Sequence, residues 1–119
     1  MTDEVVIYSD GGADPNPGIG GWAAILRAGD RERVLTGHEP KTTNNRMELQ
    51  AAISALQALR RPCRIQFHTD SQYLRRGITE GVAKWSAAGW VNKQGHAIPN
   101  ADLWRELQAL VPQHDITWH

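Results

Sequence analysis

A disulfide framework is closed to this 119-residue chain, because it has a single cysteine, Cys63. A lone thiol fits a reducing compartment. No apolar run approaches the ~20 residues needed to span a bilayer. Met1-Thr2-Asp3-Glu4 has neither the basic start nor the apolar stretch of a signal peptide. These absences lead to the expectation of a cytoplasmic protein. Repeats, linkers and low-complexity segments are missing too, so residues 1–119 are expected to form one domain around one core. Net charge is also missing: thirteen basic residues balance thirteen acidic ones. That argues against a nonspecific nucleic-acid coat, which is usually strongly basic. It leaves room for a nuclease, in which acids at a metal site offset basic residues elsewhere. Arg75, Arg76, Lys84 and Lys93 against only Glu80, within Arg75 to Pro99, show such a division.

What is present reads as alternating strands and helices. Glu4 to Asp10 is short and β-branched, stopped by Gly11-Gly12, and Asp14-Pro15-Asn16-Pro17-Gly18 is turn chemistry throughout. Trp22 to Arg27 and Arg33 to Gly37 suit two strands joined by a hairpin centred on Gly29-Asp30. The clearest helix covers about Asn45 to Leu59. Arg64 to Asp70 alternates like a strand and runs into a second helix that starts near Ser71. Val82 to Ala88 predicts a short helix, Val91 to Pro99 an irregular loop, and Asn100 an N-cap for a helix over 101–111 that Pro112 ends. Asp115 to His119 opens a last strand. The order predicts an α/β domain: a mixed sheet whose first three strands form an antiparallel meander.

Three carboxylates stand out. At 100° per residue, Glu48 falls near the middle of an apolar arc formed by Met47, Leu49, Ala51, Ala52, Ile53, Ala55, Leu56, Ala58 and Leu59. An ionised carboxylate there is costly without a partner. The alternative is a capping box with Asn45 as the cap and Glu48 three residues on. Asp10 and Asp70 each end a predicted strand, and ligands of α/β folds gather outside the carboxyl ends of strands. Singly, each would suit a turn or a helix cap. Converging, the three would form an oxygen-only site suited to Mg²⁺ or Mn²⁺ rather than zinc. Gly18-Ile19-Gly20-Gly21-Trp22-Ala23 fits the dinucleotide fingerprint only formally, since it follows a turn and opens a strand. His68 and Asp70 share a strand face but lack the further ligands of a zinc site, and Asp10 and Asp14 are too far apart for a phosphatase pair.

Ile7-Tyr8-Ser9-Asp10-Gly11-Gly12, Thr43-Asn44-Asn45-Arg46-Met47-Glu48-Leu49 and Thr69-Asp70-Ser71-Gln72-Tyr73 resemble the three signature blocks of type 1 ribonuclease H. Gly89-Trp90 and Asn100-Ala101-Asp102-Leu103-Trp104 are similar to its later region. The similarity runs from about residue 4 to the last residue. It implies the ribonuclease H-like fold, a five-stranded mixed sheet flanked by helices, here with the final helix absent. It also implies an endonuclease that hydrolyses the RNA strand of RNA/DNA hybrids with two Mg²⁺ ions, Mn²⁺ being a possible substitute, leaving 5′-phosphate and 3′-hydroxyl ends. Asp10, Glu48 and Asp70 would be its catalytic, metal-binding carboxylates. Asn16, Asn44, Asn45 and Gln72, with the backbone near Gly11, would read the 2′-hydroxyl. Thr43 and Asn100 would hold a DNA phosphate with help from Lys41, and Trp85 would lie against DNA sugars. Unaided, the same residues suit turns, caps and, for Trp85, core.

The chain departs from the family beyond His119, where a histidine-bearing loop and a fourth aspartate on a final helix usually follow. His119 comes too early to stand for that histidine. The basic protrusion is thin, with Lys84, Lys93 and His96, so modest hybrid affinity is expected. The last strand is expected to be too short to pair fully with its neighbour. A monomer is expected of the complete fold, and self-association or lowered stability of this chain. A catalytically weak hybrid-binding or structural module is the alternative function.

Overall fold

Five strands pair in the order β3-β2-β1-β4-β5 in the computed structural model, which describes residues 3–119. β1 (Asp3–Ala13), β2 (Gly18–Ala28) and β3 (Arg31–Thr42) form the antiparallel meander, turned at Gly29-Asp30 with Gly29 at a φ of 63°. β4 (Cys63–His68) runs parallel to β1, and β5 (Asp115–Trp118) parallel to β4. The parallel step needs a crossover, which α1 (Asn44–Gln57) supplies. α2 (Gln72–Arg76) continues through a π-helical turn (Gly77–Gly81) into α3 (Val82–Ala87). α4 (Ala101–Leu110) follows the loop and ends in a 3-10 turn (Val111–Gln113).

Alternation along the central strands places the core on one face of the sheet. Val5, Ile7, Ile65 and Phe67 are buried there against Leu49, Ala52, Ile53 and Leu56 of α1, with Leu103, Trp104 and Leu107 of α4 packed beyond. Each large side chain so buried contributes about 1.5–3 kcal/mol. Trp104 and Phe67 are the largest of the fully buried side chains.

Several boundaries differ from the sequence-based expectation. β1 does not stop at Gly11-Gly12. Gly11 pairs with Trp22 and Gly12 with Gly21, so these glycines lie inside the ladder. β4 ends at His68, leaving Asp70 two residues beyond it. α1 begins at Asn44 and is capped by Thr43, whose Oγ1 accepts from the Arg46 N–H at 3.2 Å. The capping box of Asn45 with Glu48 is therefore not formed. Asn100 precedes α4 but sits in the left-handed region (φ 62°) and makes no side-chain cap. β5 is short, yet it pairs with Arg64 through Phe67. His119 extends that ladder, its N–H donating to Phe67 O and its carbonyl accepting from the Thr69 N–H. The expected shortfall in pairing is not seen.

Candidate active site

Register brings two aspartates to one edge. The parallel pairing of β1 with β4 ends at Tyr8 opposite His68, and Asp10 and Asp70 each lie two residues further on. Asp10 remains inside β1 opposite Ala23 of β2, so it ends the parallel pairing rather than the strand. Asp70 is held in a tight bend. Thr69 Oγ1 accepts from the Ser71 N–H, and Ser71 Oγ caps α2 by accepting from the Leu74 N–H, both at 3.1 Å.

Glu48 comes from the third element. A Cβ placed on Gly11 would lie 2.5 Å from the Met47 carbonyl carbon and oxygen, so only glycine lets β1 approach the first turn of α1 this closely. That approach sets Glu48 beside Asp10. One ligand oxygen from each of Asp10, Glu48 and Asp70 lies within 4.8 Å of the other two, and no other such His/Cys/Asp/Glu group occurs among the described residues. His68 stays out of it, stacked instead between Tyr8 (4.8 Å) and His119 (4.6 Å).

The cluster is electrostatically unsatisfied. Burial, then the Asp10 and Asp70 charges, push the Glu48 carboxyl up to about 7, against a smaller opposing pull from the Gly11 amide. Glu48 Oε2 is buried with no hydrogen-bond partner among the described residues. A buried acceptor without a donor beside two more carboxylates fits a hard cation with oxygen ligands.

The residues expected to hold substrate fall into three groups. Asn16 Oδ1 accepts from the Asn44 N–H (3.1 Å) and Asn44 Oδ1 from the Ala13 N–H (2.6 Å), so these two clamp the proline turn and β1 to the start of α1. Thr43 and Asn100 are bridged by Arg46, which binds Thr43 Oγ1 through its backbone and Asn100 Oδ1 through its guanidinium (3.2 Å). Gln72 and Trp85 line one open groove of about 440 Å³ with Tyr73, Arg76 and Lys84. Trp85 is half-buried and packs on Trp104 (5.4 Å), so it belongs to the aromatic cluster as well as the groove. Lys41 and Asn45 are exposed and join none of these contacts. The sequence reading missed the roles of Arg46, Asp102, Tyr73 and Trp104, which form one hydrogen-bonded network.

Comparison with known proteins decides the family: the family model for RNase H matches residues 2–119. The chain belongs to the ribonuclease H family. It is similar to the ribonuclease H of Cupriavidus pinatubonensis (strain JMP 134 / LMG 1197), 55% identical over 116 residues, covering 98% of this chain and 80% of the relative. The ribonuclease HI of Caulobacter vibrioides (strain ATCC 19089 / CIP 103742 / CB 15) is 51% identical over 118 residues, covering 99% and 79%. Among solved structures, LC9-RNase H1, described as a type 1 RNase H with the type 2 active-site motif, superposes with a TM-score of 0.87. It is 32% identical, and the match covers all of this chain and 63% of that one. LC11-RNase H1, solved in complex with an RNA/DNA hybrid, shares the fold at a TM-score of 0.66 and 20% identity, covering 97% and 84%. The ribonuclease H family is metal-dependent, and Asp10, Glu48 and Asp70 form the acidic cluster of this member. No helix among the described residues is long and apolar enough to cross a membrane.

Proposed function

We propose that this chain is an endonuclease that hydrolyses the RNA strand of RNA/DNA hybrids, leaving 5′-phosphate and 3′-hydroxyl ends. The observation that carries the reading is the convergence of Asp10, Glu48 and Asp70 within 4.8 Å, with a buried, unpartnered oxygen on Glu48. These three residues would hold Mg²⁺, with Mn²⁺ as a substitute, since the ligands are all carboxylate oxygens. A divalent ion bound there lowers the pKa of water and stabilises charge on the reacting phosphate. The protein's own residues do the rest. Glu48 must be ionised to ligate, which requires its proton to leave near pH 7. Asn45, three residues before Glu48, and Gln72, two after Asp70, have exposed side chains, and an amide can donate to or accept from a 2′-hydroxyl. Asn16 and Asn44 keep the turn and helix start in place, their acceptor oxygens already used, so their N–H groups remain for substrate. The Gly11 backbone completes this side. Thr43, Lys41 and Asn100 receive a phosphate of the DNA strand, and Trp85 lies against its sugars. That residues 1–119 fold as one ribonuclease H-like domain is part of the proposal, as is a cytoplasmic location, which the single buried Cys63 supports.

The test is cleavage of a labelled hybrid with Mg²⁺, with Asp10→Asn as the blank. Cutting of the RNA strand only, abolished by Asp10→Asn, is the expected result. Equal cutting of duplex DNA at matched salt would overturn the specificity. Binding without cutting would make the chain a hybrid-binding module instead.

A further inference from the structure

A chain of hydrogen bonds outside the carboxylate cluster has a direction fixed by the groups in it that can only donate. Arg46, in the first turn of α1, forks Asp102 through Nη1–Oδ1 (3.1 Å) and Nη2–Oδ2 (2.8 Å), and the same Nη1 donates to Asn100 Oδ1 at 3.2 Å. A guanidinium cannot accept, so the Asn100 amide must turn its oxygen toward Arg46. Its nitrogen then donates to the Tyr73 hydroxyl at 2.9 Å. The Trp104 indole N–H, which also only donates, reaches the same oxygen at 3.1 Å. Tyr73 Oη thus accepts twice, and its own hydrogen has no acceptor among the described residues. Tyr73 lines the groove that holds Arg76 and Lys84. An acceptor oxygen carrying negative charge is what such a surface suits, and a nucleic-acid phosphate supplies one.

We propose that Arg46, braced by Asp102, is a positioning residue: it orients the Asn100 amide, and through it presents the Tyr73 hydroxyl as a donor to a backbone phosphate of the bound hybrid. The proposal rests on the reading of the chain as a hybrid nuclease. Its mechanism is the amide's orientation. Without Arg46, Asn100 can flip, its oxygen then accepts from Tyr73, and the hydroxyl hydrogen turns inward, away from the groove. Arg46 acts through two other side chains and touches no reacting atom, so its loss should raise KM and leave kcat at saturating hybrid unchanged.

The experiment is a double-mutant cycle on hybrid affinity, read by fluorescence anisotropy of a short labelled hybrid and paired with steady-state cleavage. Tyr73→Phe removes only the hydroxyl and keeps the ring on Trp104. A hydrogen bond to a charged group lost from an interface weakens Kd about tenfold. Arg46→Met should cost about as much, and the double variant no more than Arg46→Met alone. Arg46→Lys, still a donor to Asn100 Oδ1, should restore the sensitivity to Tyr73→Phe. Additive losses, or a Tyr73→Phe variant that binds like the parent, would overturn the proposal. Should Arg46→Met not fold, Asp102→Asn loosens the same guanidinium and takes its place in the cycle. A parent chain that neither binds nor cuts hybrid would remove the functional reading itself, and this proposal with it. That failure is told apart because the parent is measured first.

Discussion

Glu48 carries opposing demands: it must be ionised to hold a cation, yet burial and two neighbouring carboxylates hold its proton on up to about pH 7. The sign of the consequence follows from linkage. The folded state keeps a proton that the unfolded state releases at the ordinary glutamate value, so the metal-free protein binds more protons when folded across this window. Stability therefore falls as pH rises from the ordinary value through 7. Glu48→Gln abolishes that dependence. In EDTA the variant should exceed the parent by on the order of 1 kcal/mol at pH 8.5, after discounting for solvent screening of a half-exposed group. The gain should vanish at pH 4, and Mg²⁺ should let the parent recover at high pH. Urea unfolding of both proteins at the two pH values decides it. A variant no more stable than the parent at pH 8.5 in EDTA would show that the carboxylate is not strained.

At the scale of elements, the site depends on how closely β1 and α1 approach. Gly11→Ala sets a methyl carbon 2.5 Å from the Met47 backbone, which cannot yield as a flexible side-chain end could. The strand and helix must part, at a cost of about 1–3 kcal/mol, and Asp10 and Glu48 part with them. Differential scanning calorimetry should show a lower Tm, and the Mg²⁺-dependent rise in Tm should shrink. A Gly11→Ala protein with unchanged metal response would show that the contact does not set the cluster. The same glycine explains what was legible in the sequence. The meander, the mixed sheet and the three acids could be read from alternation, turn residues and one polar residue on an apolar helix face. Gly11 and Gly12 read as a strand stop because a glycine kept for close approach looks like one kept for a turn. Thr43 displaced Asn45 as the cap because both types cap well and only the tertiary position of the helix start chooses between them. Arg46 and Asp102 are 56 residues apart, and no local pattern ties them together.

For the whole molecule, a net charge of zero is less informative than where the charges lie. β1 and β4 start, and α1 ends, at the pole where the β2–β3 hairpin turns, so Arg27, Arg31, Arg33, Arg60, Arg61 and Arg64 collect there, opposite the carboxylates. Val5, Arg27, Arg31 and Ala58 accordingly line one cavity. Arg27 is paired with Glu32 (2.6 Å) and Arg64 with Asp115 (3.9 Å). Arg46 is committed to Asp102. On the proposed substrate face this leaves chiefly Lys41, Arg76, Lys84 and Lys93 to neutralise phosphates. Each phosphate neutralised releases counterions and adds about −0.9 to the slope of log K against log salt, so four cations predict a slope of about −3.6. Anisotropy titrations of a labelled hybrid over a series of salt concentrations, with cleavage blocked by Asp10→Asn, measure it directly. Lys84→Ala should make the slope shallower by about one unit, and Arg31→Ala should leave it unchanged. A slope steeper than about −7, or one that responds to Arg31→Ala, would mean that the arginine pole also touches nucleic acid and that the bound duplex lies along a different face.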